Sequence, residues 1–315
     1  MQSQDKEVLQ QALAWIQSGA ECWLCTVVAT VGSSPRPVGS MLACNAAGES
    51  TGSLSGGCVE EDLLLRLSSG DIDTTSPQRL EYGVSAAENE RLGLPCGGRL
   101  QVMVQALAAR DEPWLQGAIA AIDDRRCVKR SLALATGLTE LLAAEQFADL
   151  LISDDLLQQS LGPQMRMLLV GAGQLAQSLA ELALAMDYEV IVTDPRQQAI
   201  SQWRGPDVSL LQGMPDDVIL QHANDRFAIV ITLTHDPRID DMALMEALAT
   251  DAWYVGALGS QRTTAKRLQR LRELGLSEEE LARLHAPVGL PIGSKTPLEI
   301  AVAIMAQITR LRRLD

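Results

Sequence analysis

Aromatic side chains make up only 3% of this chain, and its 26 basic residues are outnumbered by 40 acidic ones, for a net charge of −14. A surface of that sign repels phosphodiester backbones, and so few rings leave no stacking platform for bases, which excludes nucleic acid as a partner. No stretch approaches the ~18 consecutive apolar residues of a membrane span. The opening MQSQDKEVLQQALAWIQSG sets Leu9, Leu13 and Ile16 on one helical face without the continuous apolar core of a secretory signal. A cytoplasmic protein without a membrane partner is expected. Six cysteines in 315 residues are too few for a disulfide scaffold and fit a reducing compartment. Two of them, Cys22 and Cys25, form a CxxC, but CWLCTVVATV is β-branched and reads as a strand, where a spacing of three puts the thiols on opposite faces. No metal site is expected there or elsewhere. With only His222, His235 and His285 as imidazoles, candidates for acid/base chemistry are few.

What is present suffices for two domains, since 47% hydrophobic residues over this length can fill two cores. Residues 1–110 read as a mixed α/β domain. Its strands are expected at Trp23 to Val31, Gly39 to Cys44 and Ser50 to Leu54, with a helix at Val59 to Leu67 stopped by Gly70. RLQVMVQAL then alternates, with Leu100, Val102, Val104 and Ala106 on one face of a further strand. Residues 111–164 are rich in Ala and Leu and read as a connecting segment packed on the first domain, with helical stretches and one strand near Val128 to Ala135.

From Met167 the pattern is that of a Rossmann-like, doubly wound parallel sheet spanning 165–315. MLLVGAGQLAQSLAELALAMDYEVIVTD is a buried strand, a glycine turn, a helix and a second strand ending on Asp194. Gly171, Gly173 and Ala176 match GxGxxA, and Asp194 lies 21 residues beyond Gly173. The first glycine serves the tight turn, the second admits a pyrophosphate, the small third residue lets helix and strand pack, and the acid can accept from a ribose hydroxyl. Further strands are expected at Phe227 to Leu233 and Trp253 to Val255. His235 and Asp236 follow the first of these, and Gly259, Ser260 and Arg262 follow the second, at the sheet edge where such folds hold ligands. A last helix, Pro297 to Leu311, is capped by Thr296 with Glu299 completing a capping box.

The first domain has its own constellation. GSLSGGCVEEDLL places Cys58 behind two glycines at the start of a helix, where backbone N–H groups and the macrodipole favour a thiolate while Glu60, Glu61 and Asp62 oppose one. The same position suits a small residue at a tight helix start, and spacing does not choose between these readings. Cys96 sits in GLPCGGR beside Arg99, and Arg36 lies on the proline-flanked loop GSSPRPVG. Two glycine-framed thiols and two arginines point to a sulfur-bearing or anionic ligand.

In this order, and from about Gly32 to about Ile304, the stretches GSSPRPVGS, GSLSGGCVEEDLL, GLPCGG, LLVGAGQLAQ, VTDPR, LTHDPRIDD, YVGALGSQRTTAKRL and APVGLPIGSKTPLEIAVAI resemble the XdhC/CoxI family of molybdoenzyme accessory proteins. The resemblance implies a chaperone whose cargo is the molybdenum cofactor, as molybdopterin or molybdopterin cytosine dinucleotide. It implies that a cysteine desulfurase sulfurates the held cofactor, that a cofactor-synthesis enzyme supplies it, and that an apo-enzyme of the xanthine dehydrogenase or aldehyde oxidoreductase type receives it. Cys58 and Cys96 then stand where the cofactor or its sulfur would be handled. The cofactor-binding set is Arg36, Gly171, Gly173, Ala176, Asp194, Arg196, His235, Asp236, Gly259, Ser260 and Arg262. Many relatives carry histidine where this chain has Gln174, so a ligand role for that imidazole is not carried over. An NAD-dependent oxidoreductase and a nucleotide-sensing regulator also fit the glycine turn, and a homodimer is the default oligomer on base rates.

Overall fold

The structure is a computed structural model in which residues 3–32, 36–92 and 98–314 are described. It divides into two units, residues 1–163 and 164–315.

The first unit begins with helix α1 (Ser3–Gln17) and strands β1 (Cys22–Val31), β2 (Met41–Asn45) and β3 (Ser50–Gly52). Helix α2 (Cys58–Ser68), β4 (Gln78–Tyr82), α3 (Ala86–Leu92) and β5 (Arg99–Leu107) follow. The five strands form an antiparallel sheet in the order β3-β2-β1-β5-β4. Strand alternation sorts its residues by face. Trp23, Cys25, Val27, Leu42, Cys44, Val102 and Val104 pack under Val59, Leu63 and Leu67 of α2, whereas Cys22, Leu24, Met41 and Ala43 pack against Val8, Leu9 and Ala12 of α1. The CxxC thiols accordingly sit in different cores. Cys25 and Cys44 share the α2 side, where their mutual hydrogen bond and burial push the Cys25 thiol well up.

Residues 111–163 do more than connect. Helix α4 (Glu112–Asp123) leads into β6 (Val128–Ala133), β7 (Thr139–Ala143), β8 (Leu151–Ile152) and β9 (Leu156–Leu161), an antiparallel sheet in the order β7-β6-β9-β8. The sequence pattern predicts one strand here and four are present. Leu115 and Ala118 of α4, Val128 of β6 and Leu161 of β9 join the α1 core, so the segment covers the second face of the first sheet. At the centre of this layer Arg130 is fully buried. Its guanidinium donates to Gln105 (2.5 Å), Gln159 (3.0 Å) and Thr26 (3.3 Å) and lies 5.2 Å from the centre of the Trp114 ring. Burial pulls its pKa down to about 10 against the pull of Asp111, yet it stays charged at neutral pH.

The second unit holds β10 (Arg166–Val170), α5 (Gln174–Ala185), β11 (Glu189–Thr193), α6 (Gln197–Ser201), β12 (Ser209–Leu211) and α7 (Pro215–His222). It continues with β13 (Ala228–Thr232), α8 (Pro237–Ala249), β14 (Tyr254–Ala257), α9 (Gln261–Glu273), α10 (Glu278–Ala282), β15 (Leu284–His285) and α11 (Pro297–Leu314). All six strands run parallel in the order β12-β11-β10-β13-β14-β15. Counted from β10 this is 3-2-1-4-5-6, the order of a dinucleotide-binding doubly wound sheet, with its crevice between β10 and β13. One face buries α5 and α11 through Ala176, Leu179, Ala301 and Ile304, and the other buries α7 and α8 through Ile219, Ala243 and Leu244. Thr296 and Glu299 cap α11 reciprocally, as the sequence predicts. Among the described residues no helix is long and apolar enough to cross a membrane.

Gly52 ends β3 and launches the loop toward Cys58 with φ +98°, and a Cβ there would collide with the carbonyl oxygen of Met41 and the side chain of Val8. Gly48 has a similar φ, +84°, but meets nothing within 4 Å. Gly52→Ala is therefore expected to lower stability by about 1–3 kcal/mol beyond the strain that Gly48→Ala also carries, in urea unfolding of the two variants. Equal losses would show that backbone conformation alone matters at Gly52.

Candidate functional site

The glycine turn of the second unit is built by hydrogen bonds at the carboxyl edge of the sheet. Gly171 donates to the Thr193 carbonyl at 2.7 Å, and its φ of +112° lets the chain turn tightly into α5. A Cβ at Gly171 would lie 2.9 Å from Thr234 Cγ2 and 3.1 Å from the Thr234 nitrogen, so the loop after β13 is packed directly on the turn. Gly173 is exposed, caps α5 without any side-chain hydrogen bond, and has nothing within 4 Å of where a Cβ would sit. The head of α5 therefore offers free N–H donors and the positive end of the helix dipole to an anion. Ala176 is wholly buried in the core against the sheet, so its role is close packing and not contact with a ligand.

Asp194 differs from the expectation. Its carboxylate is buried and accepts from the Ala172 N–H (3.0 Å) and the Arg196 N–H (2.9 Å), and from Arg196 Nε (2.8 Å) and Nη2 (2.7 Å). Burial alone would raise its pKa, but the Arg196 and Ala172 hydrogen bonds outweigh that and hold the carboxyl below its usual range. The acid thus clamps the glycine turn, and the exposed face at this position is the Arg196 guanidinium.

The two loops beyond are fixed by a buried ion pair that pattern reading did not single out. Asp240, at 1% exposure, accepts from the Thr234 hydroxyl (2.7 Å) and N–H (3.2 Å) through Oδ1 and from Arg267 Nη2 (3.2 Å) through Oδ2. Arg267, at 3% exposure, donates Nη1 to the Leu258 carbonyl at 3.0 Å. Asp241 lies 3.6 Å from Arg267 Nε and receives a two-point pair from Arg270 at 2.5 and 3.0 Å. A signal was present. Asp240 shares the helical stripe of Leu244 and Ala247, and Arg267 that of Thr264 and Leu271, so charged residues at core spacing announced a partnered pair.

Around this pair the structure gathers His235, Gly259, Ser260 and Arg262 at a groove of about 640 Å³, together with Pro237, Leu258, Thr263, Lys266, Arg267, Arg270 and Ile300. Ser260 caps α9, accepting from the Thr263 N–H at 3.2 Å. Asp236 caps α8 and is paired with Arg238 at 2.8 Å, so its carboxylate is also engaged locally.

In the first unit Cys58 is exposed in the first turn of α2. Glu60, expected only to repel a thiolate, instead reaches back to the loop. Its carboxylate accepts from the N–H groups of Leu54, Ser55 and Gly56, each at 2.8 Å, and Gly57, at 3.0 Å, and from the hydroxyls of Ser53 (3.0 Å) and Ser55 (2.5 Å). The spacing of Glu60 three residues after Gly57 is that of a capping box. Arg36 reaches Gln4 of α1 at 3.1 Å, on the face of the first sheet opposite α2, and Arg99 faces Glu81 at 3.8 Å. Cys96 lies outside the described residues. Among the described residues no group of three or more His, Cys, Asp or Glu side chains could hold a metal ion.

The XdhC Rossmann domain model matches residues 167–308, which hold the glycine turn and the groove, and the XdhC and CoxI family model matches residues 15–83, which hold Cys58 and its loop. The chain belongs to the XdhC and CoxI family. It is 26% identical to the molybdenum cofactor insertion chaperone PaoD of Escherichia coli K12, over 98% of this chain and 88% of that protein. It is 25% identical to a Bacillus subtilis protein named as a probable xanthine dehydrogenase subunit, over 95% of this chain and 96% of that one. A 30% identical match to the uncharacterized protein YqeB of Escherichia coli spans 48% of this chain and only 28% of that longer protein. In fold, the chain is similar to a crystal structure described as a xanthine dehydrogenase from Bacillus halodurans, with TM-score 0.74, 24% identity and coverage of 98% and 96%.

Burial raises the Glu60 pKa, but the Ser55 hydroxyl and the N–H groups of Ser55, Gly56 and Gly57 outweigh it and bring the value down to about 2. A folded-state pKa below the unfolded value of about 4.3 means that the stabilisation is full above that value and fades as pH falls from there toward 2. In denaturant unfolding between about pH 5 and about pH 2.5, wild type should lose stability more steeply than Glu60→Gln, and parallel curves would remove Glu60 from that role. Replacing Asp194 by Asn keeps the shape but removes the charge that Arg196 and Ala172 address. It should cost about 1–3 kcal/mol in the unfolding of the second unit, and no loss would mean that the glycine turn holds without the clamp.

Proposed function

We propose that this protein holds the molybdenum cofactor as cargo, keeps it while a cysteine desulfurase supplies the terminal sulfido ligand, and hands it to an apo-enzyme of the xanthine dehydrogenase type. The observation that carries this reading is the end-to-end similarity to PaoD, which runs through both units. The Bacillus subtilis relative, named as part of a xanthine dehydrogenase, supports the class of client. The glycine turn supports a cargo that carries phosphate, because an uncapped helix head with free space over Gly173 suits a pyrophosphate. A cytosine dinucleotide form of the cofactor would bring that group. Cys58, exposed at the head of α2 above a loop pinned by Glu60, is the thiol offered to the cofactor or its sulfur, since a soft thiolate suits molybdenum and persulfide contact.

The oxidoreductase alternative requires a carboxylate free to accept from the ribose of NAD, and Asp194 is already committed to Arg196 and Ala172. The protein acts in the cytoplasm in this reading, as an accessory factor without turnover of its own.

Gel filtration of the protein mixed with isolated cofactor is expected to give a retained, pterin-containing complex. The Cys58→Ser variant should fold normally, because the side chain is exposed, yet lower cofactor retention or client sulfuration several-fold. Unbound cofactor together with NADH binding and turnover of a small substrate would make the protein an oxidoreductase instead. Unchanged client activity in the Cys58 variant would leave that residue a small helix-start side chain.

A further inference from the structure

The groove beside α9 is unlike the rest of this acidic protein. Its lining contains Arg262, Lys266, Arg267 and Arg270 and, among the described residues, no Asp or Glu, although the chain as a whole carries 14 more acidic than basic residues. Arg262, Lys266 and Arg270 stand at i, i+4 and i+8 on one face of the helix. Arg270 and Arg267 are answered from behind by Asp241 and Asp240. Arg262 and Lys266 are exposed and have no carboxylate within ion-pair distance among the described residues.

Two costs are therefore left standing. Like charges at i, i+4 repel by a few tenths of a kcal/mol, and a cation in the first turn of a helix, here Arg262, opposes its dipole. The first turn of α9 carries no acid to offset either. Arg267, which lines the same groove, is almost wholly buried, and its Nε faces Asp241 at 3.6 Å, beyond hydrogen-bond distance.

From this we infer that the groove is a second anion site, built for a phosphate ester or pyrophosphate group, separate from the glycine turn at the head of α5. Arg262 and Lys266 are its primary binding residues, with Arg267 held rigid as the floor and His235 at the rim. The groove volume of about 640 Å³ accommodates a phosphorylated small molecule and not merely an ion. A ligand that carries phosphate could engage the glycine turn and this groove together or either alone. The inference stands on the groove itself and does not require the cargo to be molybdenum cofactor.

Inorganic pyrophosphate is the probe, titrated into the full chain by calorimetry with thermal unfolding in parallel. Wild type is expected to bind at two sites, and its melting temperature should rise with pyrophosphate beyond the effect of sodium chloride at equal ionic strength. Arg262→Gln with Lys266→Gln should remove one site, or weaken it at least tenfold, while leaving the ligand-free melting temperature equal or higher because a repulsion is relieved. Gly173→Asp, which places a carboxylate over the head of α5, should remove the other site and spare the groove. Loss of all binding in the Gly173 variant with none in the double variant would overturn the inference, as would stabilisation matched by sodium chloride or the absence of pyrophosphate binding in wild type. Cofactor binding is measured separately, so failure of the proposed cargo leaves this result readable.

Discussion

Asp240 and Arg267 form an ion pair with almost no access to solvent, and both loops that frame the groove hang from it. One carboxylate oxygen holds Thr234 by two hydrogen bonds, and the guanidinium holds the Leu258 carbonyl, so the chain leaving β13 and the chain leaving β14 are fixed to one pair. Removing two charges from water costs several kcal/mol, and attraction offsets that only when the remaining donors and acceptors are also used. Here most of them are. Burial still lifts the Asp240 pKa above its ordinary range, against the lowering by Thr234 and Arg267, which marks how strongly the interior disfavours the charge. The pair's return is geometric: Thr234 is the residue on which Gly171 packs, so the glycine turn, the β13 loop and the α9 groove become one rigid edge.

Carboxylates elsewhere in the chain do similar work. Glu60 gathers four consecutive N–H groups ahead of α2, and Asp194 gathers the N–H of Ala172 and the side chain of Arg196. Glycine-rich loops lose much backbone entropy on ordering, and a single charged acceptor that satisfies several donors is an efficient way to oppose that loss. Each acid thereby removes itself from direct ligand contact and leaves another group facing out: Cys58 in the first unit and Arg196 in the second.

Most of the parallel sheet was legible from sequence because its strands are continuous apolar runs, its turn glycines are at fixed spacing, and its last helix carries caps. In the antiparallel sheet of β1 to β5, β1 was legible from its β-branched run and β5 from alternation in RLQVMVQAL, whereas β4 was not, and β3 stops at Gly52 because the backbone turns left-handed there. Of the sheet of β6 to β9 only β6 was legible, as the strand near Val128 to Ala135. β7 and β8 are short edge strands with exposed positions, and Arg130 of β6 stands at an inward position that alternation assigns to a core residue. Only the partners Gln105, Gln159 and Trp114, distant in sequence, make that arginine acceptable inside. Site residues divided in the same way. A position whose role is set by local backbone, such as Gly171 in its tight turn, could be read in place, whereas the capping role of Ser260 and the roles of Asp194, Asp240 and Arg267 emerge only in the fold.

Helix α9 shows why one element can be legible for folding and opaque for function. Its inward face follows the ordinary stripe, with Thr264, Arg267 and Leu271 buried, and this fixes where the helix lies. Its outward face carries Arg262 and Lys266, whose charges contribute nothing to that placement and repel each other, and Arg262 in the first turn works against the helix dipole. A solvated face usually mixes signs, as α10 and the end of α9 do where Arg272 meets Glu278 at 2.5 Å. The unmixed stretch is confined to the part of α9 that borders the groove, and the acids that would neutralise it sit behind Arg267 and Arg270 instead. Fold energetics therefore account for the position of α9 and for its buried pair, while the sign of the charge facing the groove is left to be explained by what enters it.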